Sequence, residues 1–98
     1  MTTPVKKIEI IIDALDVPKL VAKLRDLGVK GYTVIRDASG TGDRGDRAGD
    51  GFSGEFTNSL ILIACSTEEA QRVIDLIRPV LKRYGGVCLV SDAQWVIH

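Results

Sequence analysis

The sequence has a single histidine, and it is the terminal residue, His98. A chain end frays, and without that imidazole no Ser/His/Asp or Cys/His set can be assembled. Aromatics are scarce as well: one tryptophan, two tyrosines and two phenylalanines. None has the spacing with which RNA-binding sheets stack bases. Thirteen basic and thirteen acidic residues leave no net charge, so the overall field favours neither nucleic acid nor an anionic membrane. No apolar run reaches the roughly eighteen residues of a membrane span. The opening MTTPVKKIEIIID lacks the small-residue cleavage site of a signal peptide and enters a strand pattern, so a cytoplasmic protein is expected. Only two cysteines occur, Cys65 and Cys88, inside apolar runs and at no metal-ligand spacing. They are expected to be buried thiols rather than a disulfide or redox pair. At 98 residues the chain is one domain, large enough for a core.

What is present is a regular alternation of strand and helix patterns. Val5 to Ile12 alternates Ile8, Ile10 and Ile12 on one face of a strand. Asp16 offers an N-cap, Leu20, Leu24 and Leu27 fall one helical face apart, and Gly28 supplies a left-handed stop. Asp13, just after the first strand, is expected to start the turn. Gly31 to Ile35 is a second strand and Leu60 to Cys65 a third. Ser66 and Glu69 have capping-box spacing. Ala70, Val73, Ile74, Ile77, Val80, Leu81 and Tyr84 then trace a helical stripe that Gly85-Gly86 ends. Pro79 lies inside that stripe and is expected to kink the helix or loosen its last turn. Val87 to Val90 and Gln94 to Ile97 close the chain as one strand or a pair.

The order predicts an α+β domain of split βαβ, ferredoxin-like βαββαβ type, with both helices on one face of an antiparallel sheet. A sheet wet on its other face alternates polar and apolar residues. Here every residue from Leu60 to Cys65 is apolar, so both faces ask for burial, and the chain has no further element to supply it. A second subunit is the simplest cover.

The stretch from Asp37 to Phe56 interrupts this pattern with six glycines, Gly40, Gly42, Gly45, Gly49, Gly51 and Gly54, among interleaved Asp and Arg. Long loops in compact domains are usually functional or disordered. Gly40-Thr41-Gly42-Asp43-Arg44-Gly45 fits G-x-G-x-x-G, but no helical stripe follows, so a dinucleotide fold is not expected. Convergent backbone N–H groups can still cradle an anion, with Arg44 and Arg47 adding charged hydrogen bonds. A solvated loop kept soluble by its charges explains the same composition. Asp43, Asp46 and Asp50 lack the EF-hand spacing, and the Arg-Gly-Asp tripeptide at 44–46 is a chance match in a cytosolic chain.

Across KKIEIII, GVKGYTV, the glycine loop, LILIACSTEEAQRVIDLI and the final glycine turn, the sequence resembles the PII signal-transduction superfamily. The resemblance implies a single PII-like domain over 1–98, a homotrimer, and adenine nucleotide bound in clefts between subunits. It also implies a flexible loop at about 37–57, the T-loop, that docks on a partner. Departures are specific. No tyrosine lies between Tyr32 and Tyr84, the second phosphate loop is reduced to Arg83-Tyr-Gly-Gly-Val87 without its lysine, and Leu62 stands where nitrogen-signalling members use a glutamate. His98 falls where an arginine is common. GYTVIRDASGTGDRG with the YGG turn is more similar to the PII-like proteins of carboxysomes and bicarbonate transporters. Those imply ADP or AMP, bicarbonate in some cases, no prosthetic group, no metal and no enzymatic activity. Carried over, Thr33 and the Ala64 backbone would hold adenine. Gly40, Thr41, Gly42, Asp43 and Arg44 would meet ribose and phosphates, and Gly85, Gly86 and Val87 would close the site. Gly42, Arg44 and Gly45 are the candidates for bicarbonate. The alternatives are a nitrogen-regulatory PII sensor, or a small catalytic ferredoxin-like domain such as a phosphatase built on Arg44 and Asn58.

Overall fold

The computed structural model describes residues 1–42, 45–47 and 57–98, with backbone alone at 41, 42 and 45–47. In chain order the elements are β1 (Thr2–Asp13), a 3-10 turn (Ala14–Asp16), α1 (Val17–Leu27), β2 (Thr33–Ala38), β3 (Gly40–Gly42), β4 (Gly45–Arg47), β5 (Asn58–Cys65), α2 (Thr67–Tyr84) and β6 (Val87–Val96). β2, β5, β1 and β6 form one antiparallel sheet in that spatial order, and β3 pairs with β4 apart from it. With β3 and β4 set aside, this is the ferredoxin-like βαββαβ arrangement.

The isoleucine alternation of β1 sets the core. Ile8, Ile10 and Ile12 face the helices and are buried beside Ile61 and Ile63 of β5. Leu20 and Leu24 from α1, and Ala70, Val73 and Ile77 from α2, close over them. Each isoleucine, leucine or valine of this set contributes roughly 1.5–3 kcal/mol when fully buried.

The helix ends follow from single residues. Gly28 takes φ +98°, its N–H bonds the Arg25 carbonyl at 3.0 Å, and Val29 N–H bonds Leu24 at 3.0 Å. That is the left-handed stop expected there. At the start of α2, Ser66 Oγ accepts from Glu69 N–H at 3.1 Å and its hydroxyl donates to Glu69 Oε1 at 3.2 Å. Asp16 holds the N-cap position of α1 but makes no side-chain cap hydrogen bond. Asp13 does the capping instead: its carboxylate accepts from Leu15 N–H at 2.9 Å and turns the chain out of β1 through the 3-10 turn.

One open alternative is decided and two expectations change. The chain end is one continuous strand, because Val87–Val96 pairs with β1 residue by residue and draws Ser91, Asp92 and Ala93 into the ladder. The same pairing starts β1 at Thr2 rather than Val5. α2 keeps its last turn beyond Pro79: the helix runs to Tyr84, and Gly85 N–H bonds Leu81 at 2.7 Å. Proline removes one donor, and at this exposed position the remaining hydrogen bonds suffice.

Candidate functional site

Directly opposed residues of neighbouring antiparallel strands project from the same face. Opposite the helices, the register therefore lines up Ile35, Leu60, Ile11 and Val87 across all four strands. The next row on that face is Thr33, Leu62, Glu9 and Leu89, and beyond it come Ala64, Lys7 and Ser91. Ile35, Val87 and Leu89 are about half exposed, at 48%, 47% and 55%. β5 thus splits as its composition required, with Ile61, Ile63 and Cys65 in the core and Leu60, Leu62 and Ala64 on the open face.

The site candidates fall into two groups on this face. Thr33, on β2, and Ala64, on β5, occupy one margin, and both are exposed. The chain leaves the same margin through an irregularity. Ile35 pairs with Leu60 and Ala38 with Asn58, so Arg36 and Asp37 together oppose Ser59, and Asp37 takes φ +60°. Such a bulge re-aims the strand, here into Gly40. Gly85, Gly86 and Val87 lie at the other margin, where α2 enters β6. β2 and β6 are three strand steps apart, about 14 Å at ordinary strand spacing. One chain does not bring the two groups together.

The glycines divide the same way. Gly86 has φ +120°, and a Cβ there would meet the Ile11 carbonyl oxygen; the fold itself demands that glycine. A Cβ on Gly40 would meet nothing within 4 Å. Gly40-Thr41-Gly42 and Gly45-Asp46-Arg47 form the β3–β4 pair, with Gly42 opposite Gly45. The motif therefore runs strand to strand instead of opening a helix, and the dinucleotide-fold reading fails as expected. Asp43 and Arg44 lie outside the described residues, as do Gly49, Asp50, Gly51 and Gly54.

Sequence reasoning passed over Lys7 and Glu9. They form an ion pair at 3.5 Å on the open face, Glu9 between Leu62 and Leu89 and Lys7 beside Ala64. The period-two pattern of KKIEIII holds that signal, since its polar members alternate with the core isoleucines. The thiols are free, Cys65 buried and Cys88 only half-buried where both were expected to be buried; burial pushes Cys65 up, with Glu69 adding to it, and burial pushes Cys88 up. His98 is exposed at the chain end, and Asn58 begins β5 opposite Asp13. Among the described residues no group of three or more His, Cys, Asp or Glu could hold a metal, and no helix is long and apolar enough to cross a membrane.

The chain is a ferredoxin-like domain whose sheet leaves one face open and whose second strand runs on into a glycine-rich segment. The sequence profile of "Nitrogen regulatory protein P-II" matches residues 5–97, and the chain belongs to that family. Among solved structures it is similar to CPII, a nitrogen regulatory PII-like protein from Thiomonas intermedia K12 bound to ADP, AMP and bicarbonate. That match has 29% identity and TM-score 0.86, covering 96% of this chain and 90% of the other. A putative PII-like signaling protein from Thermus thermophilus matches at 26% identity and TM-score 0.75, covering 97% and 91%. The GlnK–ATP complex of B. subtilis, at 20% identity and TM-score 0.67 over 95% and 84%, shares the fold. No curated protein matches the sequence.

Proposed function

We propose that this chain is a non-enzymatic regulatory protein that binds ADP or AMP between the subunits of a homotrimer. The loop between β2 and β5 would carry the signal to a cytoplasmic partner, a transporter or enzyme linked to inorganic carbon, with bicarbonate as second ligand. The observation that carries this reading is the likeness to CPII over nearly the whole of both chains, in a structure holding ADP, AMP and bicarbonate. The geometry supports it from below. The adenine candidates Thr33 and Ala64 and the closing residues Gly85, Gly86 and Val87 lie on opposite margins of one face, so a complete site needs one margin from each of two copies. Gly40, Thr41, Gly42, Asp43 and Arg44 at the loop base are assigned to ribose and phosphates, and Gly42, Arg44 and Gly45 to the small anion. The open apolar rows supply the surface that trimer formation buries.

Calorimetric titration with AMP, ADP, ATP and cyclic AMP, with and without bicarbonate at fixed pH and ionic strength, tests the reading. Binding of ADP or AMP supports it; no adenine nucleotide binding at millimolar concentration overturns it. A carbon-linked role further requires bicarbonate to change the nucleotide affinity, and nucleotide to change bicarbonate affinity by the same factor. The family description favours one other reading, a nitrogen-regulatory sensor; by resemblance such a sensor would answer to ATP and 2-oxoglutarate. Leu62, apolar and on the open face, speaks against it, and the same titration with 2-oxoglutarate decides.

A further inference from the structure

β2 has little to hold its first residue. It is an edge strand, and only Thr33, Val34 and Ile35 pair in unbroken register, with Leu62, Ile61 and Leu60 of β5, before the bulge. The residues that lead into it, Gly28 to Tyr32, belong to neither helix nor strand. Val29 is buried, and its N–H bonds the Leu24 carbonyl at 3.0 Å. Lys30 and Gly31 are exposed. Tyr32, directly before Thr33, packs against the core.

Tyr32 is held from α1. Arg25 Nη2 donates to the Tyr32 hydroxyl at 2.9 Å, and the guanidinium carbon stands 5.9 Å from the centre of the ring. The Arg25 carbonyl also accepts from Gly28 N–H at 3.0 Å, so one residue grips both ends of the link. Successive side chains of an extended chain point to opposite sides. Tyr32 therefore turns toward the helices and Thr33 toward the open face, where it is exposed. A restraint on the phenol restrains the rotation of the chain at Thr33 as well.

We propose that Arg25 and Tyr32 are positioning residues for the base pocket: their contact on the helix side sets the direction of the Thr33 hydroxyl on the open face. The inference rests on the nucleotide site proposed above and adds to it two residues that touch no ligand. An exposed hydrogen bond of this kind contributes little to overall stability, because water competes for both groups. Its effect falls instead on the first residue of a short edge strand, where few other contacts choose the chain direction. Hydrogen bonds weaken steeply with misalignment. A small rotation at Thr33 therefore costs affinity for the base and leaves the loop base, beyond the bulge, as it was.

Calorimetry of AMP and ADP on single and double variants tests this. Arg25→Ala and Tyr32→Phe, the second of which keeps the packed ring, should each weaken AMP about threefold to tenfold. ADP should weaken by the same factor, since the two ligands share the base. Lys23→Ala removes a positive charge from the same helix and should leave both affinities unchanged. The decisive measurement uses Thr33→Ala as background: where Arg25 acts through Thr33, adding Arg25→Ala to Thr33→Ala costs no further affinity. Losses that add in the double variant overturn the inference and leave Arg25 a staple of the fold. Arg25→Ala and Tyr32→Phe chains that bind AMP as the wild type does overturn it too. So does a Thr33→Ala chain of wild-type affinity, which leaves nothing to position. A wild type that binds no adenine nucleotide overturns the function proposed above, and this inference with it.

Discussion

A Cβ built on Gly86 would stand 2.7 Å from the Ile11 carbonyl oxygen and 2.9 Å from Ile12 Cγ2, at a backbone φ of +120°. Backbone crowds it on one side and core side chain on the other, so neither can yield cheaply. Gly86→Ala is expected to lower stability by roughly 2–3 kcal/mol. Urea denaturation should show an earlier midpoint with an unchanged slope. Gly28→Ala provides the contrast: φ is +98°, but nothing lies within 4 Å of the new methyl. Only the left-handed backbone opposes it, and a loss of about 1–2 kcal/mol is expected.

Ser66→Ala removes the acceptor for Glu69 N–H and the donor to its carboxylate together. The expected loss is about 1 kcal/mol, measured by the same denaturation experiment. Asp16→Ala should have little effect, since that carboxylate makes no cap hydrogen bond.

Both thiols are held protonated by burial, Cys65 with help from the Glu69 charge. Iodoacetamide at neutral pH should modify the folded chain slowly and the urea-unfolded chain quickly. The same shift fixes the pH dependence of stability. A thiol raised in the folded state contributes its full share below the ordinary cysteine pKa, about 8.5, and loses it as pH climbs above that value. Denaturation midpoints should therefore fall on the alkaline side, and a Cys65→Ala/Cys88→Ala chain should show a smaller fall.

On the site proposed above, Arg44→Ala is expected to weaken ADP more than AMP, by roughly tenfold to a hundredfold, since the proposed charged hydrogen bond to the extra phosphate would be lost. Calorimetry of both nucleotides on both chains checks it. Equal losses for the two would point to a folding defect.

The strands and helices are legible because the chain states its periods plainly: every second residue of IEIII, the leucines of α1, the apolar stripe of α2. The all-apolar β5 signals a second face in need of cover, and the register shows which residues line it. What local sequence does not show is set by partners distant along the chain. Ser91-Asp92-Ala93 looks like a turn until Val5, Lys6 and Lys7 lie opposite it. The bulge at Arg36 and Asp37 depends on where β5 ends, and no local composition specifies that. Thr33 and Ala64 rest on resemblance alone; as isolated residues they are ordinary strand positions.

The separation of Thr33 from Val87 across the sheet gives every chain, in the assembly proposed, two half-sites that face different neighbours. An interface of this head-to-tail kind closes into a ring when its rotation permits. A lesion in one margin then spoils the cleft on that side and leaves the other margin free to serve the adjoining copy. Two individually inactive chains, one altered at Thr33 and the other at Val87, would complement each other when unfolded and refolded together. Some clefts in the mixture would draw each margin from the chain that kept it intact. Nucleotide capacity would be regained by mixing alone, which no site contained within a single chain can do.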